Sequence, residues 1–211
     1  MRDSVPLSGF YYPNRMGRIY LMAMEEMLGR NAFNTLLGLS DMREFMRELP
    51  ADDLKKGFDF AHISNLNQGL EDVYGEREMR NKTLRGGRVL FARGLQQFGA
   101  LAGVGDLAFK VLPLPTKLKI GLPAIARIFT QFSDQTSYVE EAEDCYYYYI
   151  ERCSMCWGRQ CERPIGHTAV GILQEALRWV GGGLEFRIEE QECIGMGAPR
   201  GVFRIDKEPI R

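Results

Sequence analysis

The stretch Asp144-Cys145-Tyr146-Tyr147-Tyr148-Tyr149-Ile150-Glu151-Arg152-Cys153-Ser154-Met155-Cys156-Trp157-Gly158-Arg159-Gln160-Cys161-Glu162-Arg163-Pro164-Ile165-Gly166-His167 marks where the chain changes character. Tyrosines and isoleucine favour a pleated strand, so residues 144–152 are expected to be extended. Successive side chains of a strand face opposite ways, so two of the four tyrosines face one side and two the other. Tyr147 and Tyr149 are taken as the pair that lines a pocket. The cysteine- and arginine-rich run that follows reads as a loop, and Pro164 opens a helix ending near Val180 at Gly181-Gly182-Gly183. Ala169, Val170, Leu173, Leu177 and Val180 form its buried stripe.

Working outward, Ser137–Ala142 reads as a preceding strand. Leu184–Ile194 and Gly201–Asp206 read as two antiparallel strands, joined through Gly195-Met196-Gly197-Ala198-Pro199. The C-terminal half is therefore β-β-α-β-β. The N-terminal half is helical: an extended start to Pro13, then helices expected at 14–28, 32–39, 42–49 and 58–74, and a long one from 76 to 101. Gly86 and Gly87 inside the long helix imply close approach of another backbone, or a kink. Residues 106–132 form the most apolar region, read as helix interrupted at Pro113, Pro115 and Pro123. The expected class is α+β, with a helical part over 1–134 packed on the small antiparallel sheet of 135–211.

The 211 residues carry a net charge of −1, which argues against bulk nucleic-acid binding. The basic run Arg77, Arg80, Lys82, Arg85, Arg88 and Arg93 reads as a solvated helix face. No secretory signal and no apolar run long enough to span a bilayer is visible, so a cytoplasmic location with reduced thiols is expected. No phosphate loop, nucleophile elbow or dinucleotide fingerprint is present, and no catalytic residue is assigned. His62 reads as a core histidine, and enzyme activity is not expected. The expected function is binding of an apolar small molecule or lipid, with cavity walls sought among Phe91, Phe98, Phe109, Leu118, Ile125, Phe129, Tyr147 and Tyr149.

Cys153, Cys156, Cys161 and His167 have C-x2-C-x4-C-x5-H spacing, compact enough to close around one zinc ion. Two readings stand for this loop: a structural zinc site, or free thiols beside a hydrogen-bonded histidine.

The C-terminal half also resembles the 4-vinyl reductase domain, called the predicted hydrocarbon-binding domain. The resemblance rests on Cys153-x-x-Cys156-x-Gly158, Arg163-Pro164-Ile165-x-His167, Val170-Gly171-Ile172-Leu173, Glu190-x-x-Cys193-x-x-Met196-Gly197 and the strand Phe203-x-Ile205. It implies a fold related to core subunits of the vesicle-tethering TRAPP complex, a homodimer, and an internal apolar ligand cavity. It carries two alternatives to a sensor or carrier: a tetrapyrrole 4-vinyl reductase or its accessory subunit, and a TRAPP-like dimeric scaffold with Gly86-Gly87 in the dimer seam. It also implies a zinc site, to which Glu190 and Cys193 correspond. Its two other ligand positions fall on Gly166 and Gly201, which have no donor side chain.

Overall fold

The computed structural model describes residues 3–98 and 111–210. A short strand β1 (Tyr11–Pro13) leads into helix α1 (Asn14–Leu28) and, after Gly29, helix α2 (Arg30–Leu39). A single 3-10 turn (Arg43–Met46) and strand β2 (Lys56–Asp59) follow, with β2 antiparallel to β1. Helix α3 (Phe60–Phe98) is long and is broken at Gly75, whose φ of 79° no ordinary helical residue adopts. Helix α4 (Leu114–Phe132) precedes strands β3 (Ser137–Glu141) and β4 (Cys145–Ile150). Helix α5 (His167–Val180), strand β5 (Phe186–Glu192) and strand β6 (Gly201–Pro209) complete the chain. The larger sheet is antiparallel in the order β3-β4-β6-β5, and the protein is α+β.

Several element boundaries differ from the periodicity-based expectation. The helix expected from 58 starts at Phe60, because Phe58 and Asp59 pair with Tyr12 and Tyr11 in the small sheet. Asp59 then accepts the Ala61 N–H at 2.8 Å, a side-chain cap on the first turn. The helix expected at 42–49 contracts to one 3-10 turn. The expected break at Pro123 does not occur: α4 runs through it, while Pro113 and Pro115 sit at its start, where a missing N–H costs little.

The helical half and the sheet meet at α3 and α5. Gly87 and Gly171 face each other with Cα atoms close enough that a Cβ built on Gly87 would lie 2.2 Å from the Thr168 carbonyl oxygen. A Cβ on Gly171 would lie 2.1 Å from that of Leu84. The close backbone approach expected at Gly86-Gly87 is therefore made within the chain, and Gly87 is taken up by α5 rather than by a dimer seam. Arg88 extends the contact, donating to Gln174 Oε1 at 2.9 Å and to Glu185 Oε2 at 3.2 Å. Arg93 pairs with Glu26, so the basic run is partly consumed inside the fold. No described helix is long and apolar enough to cross a membrane.

Candidate functional site

An apolar cavity of about 150 Å³ lies between α1, the second half of α3, α4, α5 and β4. Helix α3 contributes Leu90, Phe91, Gly94, Leu95 and Phe98, a stripe at three- to four-residue spacing. Helix α4 presents Gly121, Ile125, Ile128 and Phe129, and α5 adds Ala169, Ile172 and Leu173. Of the eight residues expected to line a cavity, Phe91, Phe98, Ile125 and Phe129 are on this wall. Phe109 lies outside the described residues. Leu118 is buried in the core without reaching the wall.

Tyr147 and Tyr149 lie on the other face of the sheet. Pairing with β6 sets Tyr148 opposite the fully buried Phe203 and Tyr146 opposite Ile205, which turns the even-numbered residues towards the helices. Tyr149 instead stacks on Tyr138 with ring centres 4.7 Å apart, donates to Glu140 Oε2 at 2.9 Å, and lies under the Arg200 guanidinium. Period-2 alternation identifies the strand but not its inward face when both faces carry tyrosine.

The cavity has a polar corner, made by residues that sequence reading did not single out, Tyr12, Gln135 and Ser154, and Thr168, which also bears a hydroxyl, lines it too. Tyr12 donates to Gln135 Oε1 at 2.6 Å and lies 2.9 Å from Ser154 Oγ. Gln135 Nε2 donates to Ser137 Oγ at 2.8 Å. Burial pushes the Tyr12, Tyr20 and Tyr148 hydroxyls far above the usual tyrosine range, so all three are neutral at physiological pH. Among the described lining residues none is charged and none is histidine or cysteine.

The cysteine loop forms a second cluster, behind the cavity. Cys156 and Cys161 both lie against Gly195, and Cys153 and Cys193 are the thiols that influence Cys156 electrostatically. Cys161 N–H donates to Gly195 carbonyl at 2.9 Å, and a Cβ on Gly195 would lie 2.7 Å from Cys161 Sγ. Glu190 accepts the Gly166 N–H at 2.6 Å. His167 is apart from the thiols: burial and the charge of Arg80 lower its pKa to about 4. Among the described residues no group of three or more His, Cys, Asp or Glu side chains is placed to hold a metal ion. Of the C-x2-C-x4-C-x5-H set, Cys156 and Cys161 neighbour Cys193, and Cys153 neighbours Cys156. Neighbouring thiols raise Cys156 and Cys193, and burial raises Cys161 to about 12, so these three are protonated near neutrality in the metal-free protein. The cluster clips the 153–166 loop onto the end of β5.

Glu190 has a measurable signature. Burial raises its pKa to about 9 from an ordinary 4.5, so its neutral form stabilises the fold fully below pH 4.5 and progressively less as pH rises towards 9. His167, lowered from 6.5, acts oppositely and weakens the fold as pH falls from 6.5 to about 4. Between 4.5 and 6.5 the two slopes cancel, and above 6.5 Glu190 dominates. Glu190→Gln is expected to flatten the alkaline fall by about 3 kcal/mol between about pH 6 and about pH 8, read from urea midpoints across pH. An unchanged pH profile would show that Glu190 is ionised in the fold.

No protein-family profile and no curated protein matches the chain. Solved structures do match in fold. An H-NOX protein studied for heme distortion superposes with a TM-score of 0.62 at 12% identity, over 94% of this chain and 97% of that one. An Fe(II) unliganded H-NOX protein from K. algicida gives 0.58 at 12% identity, over 94% and 97%. A trafficking protein particle complex subunit 3 from Naegleria fowleri, covalently bound to palmitic acid, gives 0.54 at 15% identity, over 72% and 95%. The architecture is thus shared with H-NOX domains and a TRAPP subunit.

The described residues of the cavity do not fit heme. Protein ligands to heme iron are histidine, cysteine thiolate, methionine with histidine, or tyrosine. Neither histidine lines the cavity, nor does any cysteine, and the buried tyrosines resist ionisation. No described lining side chain is cationic, so nothing there would receive carboxylates of a porphyrin.

Proposed function

We propose that this chain is a small-molecule-binding domain, a sensor or carrier, whose ligand is an apolar molecule of about single-ring size held in the α3–α4–α5 cavity. The observation that carries this reading is the cavity wall itself: mostly aliphatic and aromatic, with no charged side chain among its described residues. Burying apolar surface is favourable by roughly 25 cal/mol per Å², so fit and apolarity suffice for affinity. A cavity of about 150 Å³ is the size known to admit benzene, and is below the roughly 300–1,000 Å³ of sites for drug-sized ligands. The finer assignment, to the hydrocarbon-binding domains of the 4-vinyl reductase family, is supported by the motifs around Cys153, His167 and Cys193. A homodimer in the cytoplasm belongs to the same reading.

The size and chemistry of the wall favour this over the alternatives. A tetrapyrrole is far larger than one ring. Covalent acylation of the kind named for the Naegleria fowleri subunit needs a nucleophile such as a thiol, and no described lining residue is a cysteine.

Native mass spectrometry of the purified full chain, with a titration of methylcyclohexane followed by thermal unfolding, tests the reading. Saturable stabilisation is expected, rising with ligand concentration by mass action. No stabilisation, and no co-purifying molecule, would overturn it. Hemin added to the same protein is expected to give no stoichiometric Soret shift. A sharp one-to-one shift would instead place heme in the cavity.

A further inference from the structure

The polar corner of the cavity specifies the ligand's chemistry further, an inference that rests on the small-molecule reading above. The protons in it can be counted. Gln135 spends an amide N–H on Ser137 Oγ, which turns Oε1 towards Tyr12. The single Tyr12 proton is donated to that Oε1. At the 2.9 Å contact between Tyr12 and Ser154, the proton must therefore come from Ser154. Both hydroxyl donors are now used. The Ser154 oxygen retains its lone pairs, and no described group donates to it. Tyr12, Gln135 and Ser154 are each at most 5% exposed, so water does not freely supply that donor.

We propose that Ser154, oriented by Tyr12 and Gln135, accepts a hydrogen bond from the ligand, so that the cavity selects small neutral molecules bearing one hydroxyl or N–H on an apolar body. An ionised acid is disfavoured twice, by lone pairs facing lone pairs and by the lack of a cation among the described wall residues. A ketone of the same shape fits but offers no proton, and leaves the serine lone pairs unmatched. The chain therefore discriminates by donor against acceptor, not by polarity alone. Tyr12 and Gln135 are positioning residues in this scheme, and Ser154 is the contact residue.

Four saturated six-ring probes test this on the full chain by calorimetry: cyclohexanol, cyclohexanone, cyclohexanecarboxylate and methylcyclohexane. Methylcyclohexane reports the cavity alone. The expected result is that cyclohexanol binds about tenfold tighter than cyclohexanone, and that the carboxylate shows no binding. Ser154→Ala is expected to bring the alcohol-to-ketone ratio close to one. If methylcyclohexane binds while wild-type protein holds alcohol and ketone alike, the donor-selective site is overturned and the cavity reading survives. If the ratio is large but persists in Ser154→Ala, the assignment to Ser154 is overturned. If no probe binds, both inferences fall. The wild-type ratio stands by itself should Ser154→Ala not fold.

Discussion

Gly171→Val is expected to leave no folded protein under ordinary conditions. The Cβ alone would lie 2.1 Å from the Leu84 carbonyl oxygen and 2.9 Å from its carbon, backbone atoms of an α-helix that cannot swing aside. Relief requires α3 and α5 to separate. That would pull apart the contact joining the helical half to the sheet and loosen the Arg88 hydrogen bonds to Gln174 and Glu185. Overpacking in cores commonly costs about 1–3 kcal/mol where side chains can adjust. Here they cannot, and the expected loss is about 4 kcal/mol or more, a large share of a typical stability of about 5–15 kcal/mol. Gly87→Val, facing the Thr168 oxygen at 2.2 Å, should behave the same way. Urea unfolding of the soluble fraction measures the loss. A Gly171→Val protein with a near-normal midpoint would show that the two helices do not cross this closely.

The second large effect is on binding. Gly94→Phe should abolish affinity for cavity ligands while leaving the fold intact. Gly94 lies on the wall, and a Cβ there meets nothing within 4 Å. A phenyl ring at this point enters a cavity of about 150 Å³ and takes the space of a one-ring ligand. Replacing a helical glycine by phenylalanine also recovers about 0.5 kcal/mol of helix propensity, which acts in favour of the variant. Binding of methylcyclohexane is expected to weaken by about a hundredfold or more, with the unfolding midpoint equal to or above wild type. Gly94→Ala separates the two contributions: it should gain about 0.5–1 kcal/mol and still bind. Undiminished binding in Gly94→Phe would place the ligand elsewhere.

These glycines show how unevenly the sequence disclosed its meaning. Gly86-Gly87 announced a close approach, because glycine inside a helix has a cost that only packing or a kink explains. Its partner Gly171 stood only inside the Val170-Gly171-Ile172-Leu173 motif, with no sign of what it meets. The cavity wall was half legible. Phe91, Phe98, Ile125 and Phe129 occupy apolar stripes whose helical period is written in the chain. Tyr12, Gln135 and Ser154 carried no local signal, since they come from an N-terminal strand, a short connection and a loop more than a hundred residues from the first to the last.

Local pattern was enough for the kind and order of several elements: the strand through the tyrosine run, the helix ending at Val180, the two final strands and the long glycine-bearing helix. Those depend on periodicity and turn chemistry, which act between near neighbours. Phase and partnership came from long-range packing. The pairing of β4 with β6 chose Tyr148 over Tyr147 and Tyr149 for the inner face. Packing of the 153–166 loop against the segment after β5 brought Cys156 and Cys161 beside Cys193 and Gly195. The crossing of α3 and α5 left space beside Gly94. Each outcome is set by contacts between distant segments, whose relative placement follows from burying all the stripes together and not from any one of them.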